Sequence, residues 1–123
     1  NSAANHVVSA RSSYGPTQAF KVKTIRFSDI GIMPDIMKIN IEGSEKYLVP
    51  SIPKDVWDKC DAFIELHSEE DRQVIYNYFT ANKVNIFANK IGWGKASSVN
   101  CLPVSYKEGY IFVSKKTRMN WHC

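Results

Sequence analysis

The sequence has few of the features that assign a chain to a specialised class. Its 123 residues include three cysteines, far apart and odd in number, which form neither a disulfide framework nor a zinc-binding spacing. We therefore expect free thiols at Cys60, Cys101 and Cys123, and a reducing, cytoplasmic location. No apolar run approaches the roughly 20 residues of a membrane-spanning helix, and the first residues lack the basic-then-apolar pattern of a signal peptide.

A strong excess of charge of either sign is also missing. The net charge is +4, and the one small basic cluster, Lys115, Lys116 and Arg118, is typical of a solvated surface. A patch for nucleic acid is the alternative, but no aromatic stacking motif accompanies the cluster, so we predict no nucleic-acid partner. Histidine and acidic residues near the strand ends could admit a divalent cation, but no ligand spacing argues for one, and we assign no metal ligands from the sequence.

The composition that remains is that of one small globular domain. The chain is 44% hydrophobic and 23% charged, which are ordinary values for such a domain. The sequence divides into a polar N-terminal segment (residues 1–19), an α/β domain (residues 20–114) and a basic polar tail (residues 115–123).

Strands and helices alternate along the domain. Five segments have the apolar content or alternation of strands: residues 20–27, 36–41, 61–67, 84–88 and 109–113. Ser44 and Ser68 can cap helices, and two prolines split the first helix into a short piece and a second piece over residues 54–59. The second cap begins a helix that runs to about residue 82, and residues 89–100 are predicted to be a loop. This order predicts a mostly parallel sheet with crossover helices and an antiparallel last strand.

Polar side chains lie at the carboxyl ends of two of these strands. Asn40 and Glu42 end the strand at residues 36–41, and Glu65 and His67 end the strand at residues 61–67. In open α/β sheets the ligand crevice lies outside the carboxyl ends of the strands. These four residues are therefore the first candidates for a functional site.

Both strand ends resemble one enzyme family. Residues 38–45, KINIEGSE, resemble the signature K-I-D-V-E-G-A-E of FkbM-type methyltransferases, which use S-adenosylmethionine. Residues 61–67, DAFIELH, resemble the I-F-E-x-H strand that the family has at a comparable distance from its signature. The resemblance spans roughly residues 21–113 and implies the C-terminal half of a Rossmann-like methyltransferase sheet. Asn40 departs from the family pattern, because it stands where the family usually has Asp.

The resemblance implies O-methylation of a sugar or small-molecule hydroxyl, with S-adenosylmethionine as the cofactor. The Gly-rich turn that cradles the cofactor in this enzyme class is missing, and Gly92-Trp93-Gly94 is the nearest candidate. We therefore expect an incomplete chain that binds the cofactor weakly or not at all, and that self-associates to cover an exposed sheet edge. The alternative is a non-catalytic, standalone α/β binding module derived from the same fold.

The catalytic roles fall to three of the strand-end residues. Methyl transfer to a hydroxyl often needs a base, and His67 is the best candidate because imidazole exchanges protons near neutral pH. Glu42 and Glu65 are also predicted to be catalytic, on the resemblance and on the cost of burying a carboxylate inside an apolar strand. Structural alternatives remain open: Glu42 can cap the following helix, Glu65 can pair with Lys38, and His67 can be purely structural.

Three further residues are predicted to bind ligands. Asn40 is assigned to both the substrate and the cofactor as a hydrogen-bonding group, although an amide cannot act as a base. Glu45 and Trp93 are assigned to the substrate, Trp93 as the wall or lid of a pocket. Their alternatives are a turn contact for Asn40, a favourable charge in the first turn of a helix for Glu45, and surface packing for Trp93.

Overall fold

The computed structural model describes residues 19–116 and residue 119. This part of the chain contains eight helices and strands: β1 (Ile36–Ile39), α1 (Glu45–Ser51), α2 (Lys54–Lys59), β2 (Asp61–Glu65), α3 (Glu69–Ala81), β3 (Asn85–Ala88), β4 (Gly94–Lys95) and β5 (Tyr110–Ser114). Short 3₁₀ turns occupy part of the connections. Nearly all of the predicted N-terminal segment and most of the predicted basic tail lie outside the described residues.

The helices follow local signals in the sequence. The Ser68 hydroxyl accepts a hydrogen bond from the Asp71 backbone N–H at 3.0 Å, which is the N-cap predicted for α3. Helix α3 then ends at Ala81, with Asn82 as its C-cap. Pro50 lies in the last turn of α1, and α2 begins after Pro53, so the predicted division into two short helices is confirmed.

The sheet is open and mixed, with strand order β1-β2-β5-β3-β4. Only β1 and β2 pair in parallel, and the other three pairings are antiparallel. The α/β class and the antiparallel last strand are therefore confirmed, but the prediction of a mostly parallel sheet is wrong. The reason is that β5 returns between β2 and β3, so that both of these strands pair with a chain running in the opposite direction. Strand β4, in the segment predicted to be a loop, adds a further antiparallel pairing.

The predicted strand at residues 20–27 is absent. Residues 19–26 have no regular secondary structure, and a 3₁₀ turn follows at Phe27–Asp29. Phe20 is 75% exposed and Val22 is 66% exposed, so no neighbour buries one side of the alternating pattern. Alternation predicts a strand only where a partner strand and a covering layer exist.

The two faces of the sheet differ in what covers them. The alternating side chains of β1, β2 and β5 place Ile39, Ile64 and Ile111 in one core with residues of the helices, among them Trp57 and Phe79. The opposite face carries an aromatic cluster, which contains no residue of a described helix: Phe63, Phe87, Trp93, Phe112 and Met119. We call this second side the open face. None of the described helices is long and apolar enough to cross a membrane.

Candidate functional site

The two polar strand ends predicted from the sequence lie side by side. The parallel register pairs Ile39 with Ile64, so the next residues, Asn40 and Glu65, are neighbours across the two strands. Ile39 and Ile64 point into the helix-covered core, and the strand alternation therefore turns Asn40 and Glu65 towards the open face. His67 lies two residues beyond Glu65, and its side chain reaches the same side of the sheet.

The imidazole of His67 is the centre of the cluster. Its Nε2 atom lies 3.3 Å from the Asn40 amide oxygen, 3.5 Å from a Glu65 carboxylate oxygen and 3.6 Å from a Glu45 carboxylate oxygen. The His67 side chain is 17% exposed, so it is reached from solvent at the rim of the site. Three oxygen atoms thus surround one ring nitrogen.

Glu42 belongs to the same cluster through an unusual backbone conformation. Its φ angle is +61°, a left-handed value that is uncommon for a residue with a side chain. One ligand atom each from Glu42, Glu65 and His67 lies within 4.8 Å of the others. All three residues predicted to be catalytic are therefore brought together, and Glu42 is the exposed member.

Glu45 holds the loop that carries Glu42. Its carboxylate accepts hydrogen bonds from the backbone N–H groups of Ile41 at 2.7 Å and Gly43 at 2.9 Å, one on each side of Glu42. Gly43 has a φ of +101°, a conformation that a residue with a Cβ rarely adopts. The Glu45 side chain has no exposed surface, so it acts on this site by positioning the loop.

A second buried carboxyl group, Asp71 of α3, joins the two strand ends. It accepts hydrogen bonds from the backbone N–H groups of Lys46 at 3.0 Å and His67 at 3.1 Å. Burial raises the pKa of Glu45, and a side-chain hydrogen bond with Asp71 and the charge of Asp71 act in the same direction. The loop after β1 and the loop after β2 are thus fixed to each other through two adjacent carboxyl groups.

Glu65 is satisfied differently from the sequence-based alternative. It is 7% exposed, and it hydrogen-bonds the side chain of Tyr110, the residue opposite it on β5. This hydrogen bond, together with burial, raises the pKa of the Tyr110 hydroxyl. The expected ion pair between Glu65 and Lys38 is not formed, because the Lys38 ammonium lies over the Tyr110 ring, 5.7 Å from its centroid.

An aromatic groove of about 430 Å³ adjoins the cluster on the open face. Six residues line it: Lys38, Phe63, Asn89, Trp93, Gly109 and Tyr110. Trp93 packs edge-to-face on Phe63, with ring centroids 5.9 Å apart, and forms a wall of the groove. A Cβ atom on Gly109 would lie 2.3 Å from the Asn89 amide oxygen, so glycine is required for this close approach.

The groove and the cluster lie at one end of the sheet. Strands β1, β2 and β3 run in the same direction, since β2 and β3 are both antiparallel to β5. Asn89 and Trp93 follow the carboxyl end of β3, and Tyr110 begins β5 at that same end. This is the edge at which open α/β sheets bind their ligands.

Sequence reasoning missed Tyr110 and Asp71. Tyr110 opens an apolar strand and carries no sign in the sequence that its partner is Glu65, because the β2–β5 pairing is known only from the fold. Asp71 has the sequence signature of a helix first turn, which explains its position but not its contact with a second strand end. The clustering of Glu42, Glu65 and His67 likewise depends on the pairing of β1 with β2 and not on spacing along the chain.

Comparisons of the chain with protein-family models, with curated proteins and with solved structures found no match. The functional interpretation therefore rests on the geometry of the strand-end cluster and of the groove beside it.

Proposed function

We propose that this chain supplies the acceptor side of an S-adenosylmethionine-dependent O-methyltransferase acting on a sugar or another small-molecule hydroxyl. The observation that carries the proposal is that oxygen atoms of Asn40 and Glu65 lie close to Nε2 of His67, beside an aromatic groove. The resemblance of both strand ends to FkbM-type enzymes supports it. The common direction of β1, β2 and β3 is in keeping with half of a Rossmann-like sheet.

The groove suits a ring-shaped acceptor that carries hydroxyl groups. The faces and edges of Phe63, Trp93 and Tyr110 offer apolar contact to the carbon skeleton of such a ring. Lys38 and Asn89 add a charged group and an amide at the walls, which can donate hydrogen bonds to hydroxyl oxygens. The combination of apolar walls and a few polar groups is typical of small-molecule sites.

His67 is the base in this proposal. Nε2 of His67 would take the proton that an acceptor hydroxyl gives up when it is methylated, and the ring would become a positively charged imidazolium. The carboxylate oxygens of Glu65 and Glu45, 3.5 and 3.6 Å from Nε2, stabilise that charge as it develops. The Asn40 amide oxygen, 3.3 Å from Nε2, can accept a hydrogen bond from Nε2 once that nitrogen carries the proton.

The described residues do not provide a site that fits S-adenosylmethionine. The nearest glycine-containing turn, Gly92–Gly94, follows β3 but leads into strand β4, so no helix N-terminus faces it. The cofactor supplies an activated methyl group, and we derive no contact with it from these residues. A low-micromolar dissociation constant for S-adenosylmethionine and the isolated chain, measured by calorimetry, would contradict this assignment.

Steady-state kinetics of the native gene product that contains these residues test the proposal. His67→Ala is expected to lower kcat by about 100-fold or more with a smaller change in the acceptor KM, because a base acts in the chemical step. Trp93→Ala is expected mainly to raise the acceptor KM. Tyr47→Ala removes an exposed aromatic side chain from α1, and as the matched control it should change neither constant.

An unchanged kcat for His67→Ala would remove His67 from the mechanism. If the native gene product binds a sugar in the groove but transfers no methyl group under any condition, the non-catalytic binding module is the correct description.

A further inference from the structure

The strand-end cluster contains the donor atoms of a cation site that spacing along the sequence does not reveal. Glu42 and Glu65 offer carboxylate oxygens and His67 offers Nε2, all within 4.8 Å of one another. The Asn40 amide oxygen, 3.3 Å from Nε2, is a fourth donor. We propose that these four side chains bind a divalent cation of the Mn²⁺ or Mg²⁺ type.

The distances fit one ion shared by the four side chains. Oxygen ligands lie roughly 2.0–2.6 Å from cations of this class, so neighbouring ligands of one ion are about 3.0–3.6 Å apart and opposite ligands about 4–5 Å apart. The separations from His67 Nε2 to Asn40 and Glu65, 3.3 and 3.5 Å, match neighbouring ligands. The ligand atoms of Glu42, Glu65 and His67 lie within 4.8 Å of one another, which is no farther apart than opposite ligands of one ion.

The donor chemistry selects the class of ion. Two carboxylates, one amide oxygen and one imidazole form a mixed set dominated by oxygen, which suits Mn²⁺ and Mg²⁺. Neither cysteine of the described residues contributes a thiolate, which would select zinc or copper(I), to the cluster: Cys60 is buried in the helix-covered core, and Cys101 follows β4 on another connection. The single imidazole favours Mn²⁺ over Mg²⁺.

The charge of the site points independently to a cation. In residues 19–116, the ion-pair partner of both Glu45 and Glu65 is His67, and no lysine or arginine forms an ion pair with either carboxylate. The Glu65 side chain is only 9% exposed, and a buried carboxylate is unfavourable without a compensating charge. A neutral imidazole does not supply that charge, whereas a divalent cation bound to Nε2 does.

The surrounding contacts hold the donors in place. Glu45 fixes the loop on both sides of Glu42, Asp71 fixes the backbone of His67, and Tyr110 hydrogen-bonds Glu65. Supporting contacts of this kind orient metal ligands and contribute to affinity. Asn40 and Glu42 are exposed, so an ion reaches the cluster directly from solvent.

A cation here would also bear on the chemistry, and this part of the inference rests on the proposed function. An ion bound at Nε2 of His67 would neutralise the carboxylates of Glu42 and Glu65. A hydroxyl group placed in the groove and bound to the ion would lose its proton more easily, as water does on a bound metal ion. The hydroxyl proton would then pass to solvent, because the ion occupies Nε2 of His67, and His67 would act as the base only in the cation-free site.

Cation binding is measured on the isolated chain with Mn²⁺ alone, without methyl donor or acceptor. Electron paramagnetic resonance of free Mn²⁺ during a titration at pH 7.5 should show saturable binding at one site, with a dissociation constant below about 1 mM. Binding should weaken on lowering the pH to 5.5, because protons compete for the ligands. Glu65→Gln and Glu42→Gln should each weaken it at least about tenfold.

The control is Glu70→Gln, which removes the charge of an exposed glutamate on α3 and should leave Mn²⁺ affinity unchanged. Glu42→Gln lies on the surface, so its result stands even if Glu65→Gln fails to fold. An absence of saturable binding, or equal affinity in Glu42→Gln and wild type, would overturn the cation site.

The catalytic role is separated from binding by a second experiment on the native gene product. Methyl transfer should fall after treatment with a chelator and return on adding Mn²⁺. Full activity without the cation would refute the catalytic role, whereas a complete absence of methyl transfer would refute the proposed function and leave the Mn²⁺ titration to decide the site.

Discussion

Replacing Glu45 with alanine tests whether a buried carboxyl group organises the site. The side chain has no exposed surface, and it accepts hydrogen bonds from two backbone N–H groups at 2.7 and 2.9 Å. A buried donor that loses its acceptor costs about 1–3 kcal/mol. Glu45→Ala removes the acceptor of both donors, so we expect the free energy of unfolding to fall by about 2–6 kcal/mol.

The matched control is Glu70→Ala, in the first turn of α3. The Glu70 side chain is 70% exposed and pairs with Lys46 at the surface, so its loss should change the free energy of unfolding by about 0–1 kcal/mol. Both variants are compared with wild type by urea unfolding at pH 7, followed by far-ultraviolet circular dichroism. If the two changes agree to within about 0.5 kcal/mol, Glu45 does not hold the loop.

Three other predictions follow from the same structure. Burial raises the folded-state pKa of Glu45 above 4.5, so ionising this carboxyl group costs more free energy in the folded chain than in the unfolded chain. The stability of wild type relative to Glu45→Gln should therefore be greatest below pH 4.5 and fall as the pH rises through the folded pKa, whereas a constant difference would contradict the raised pKa. Burial raises the pKa of the Cys60 thiol to about 11, whereas hydrogen bonds lower the pKa of the Cys101 thiol. Iodoacetamide at pH 8 should therefore label Cys101 before Cys60, as followed by peptide mapping. Faster labelling of Cys60 than of Cys101 would refute this. Trp57 is 1% exposed and packs edge-to-face on Phe79. Trp57→Ala should therefore reduce the free energy of unfolding, measured in urea, by about 3–5 kcal/mol. A loss below about 1 kcal/mol would argue against the place of Trp57 in the core.

Elements that depend on local chemistry were predictable from the sequence. The Ser68 cap and the acids that follow it define the start of α3, and Pro50 and Pro53 divide the preceding helical segment. Strands β1 and β2 were recognisable from their apolar runs, although each is about two residues shorter than expected. These signals act over a few residues, so they do not require knowledge of the fold.

Features that depend on distant pairing were not predictable. The insertion of β5 between β2 and β3 makes most of the sheet antiparallel, and nothing in residues 110–114 indicates this position. Strand β4 has two residues, too few to show a pattern. The alternation of residues 20–27 predicted a strand that lacks a neighbour to bury one of its faces.

The candidate site was only partly predictable from the sequence. The positions of Asn40, Glu65 and His67 at strand ends were visible in the sequence, and their convergence follows from the parallel pairing of β1 and β2. The role of Glu45 was not visible, because its contact with Asp71 of α3 joins two distant parts of the chain. A charged residue in a helix first turn has the same sequence signature whether it is exposed or buried.

Methyl transfer by the native gene product that contains these residues tests the central claim most directly. The protein is incubated with S-adenosylmethionine labelled with tritium on its methyl group and with a panel of sugars, and the products are separated and counted. We expect label on a sugar oxygen, and much less label with His67→Ala. Transfer by His67→Ala at the wild-type rate would contradict the account, as would the absence of label on every sugar and small-molecule hydroxyl tested, with and without Mn²⁺.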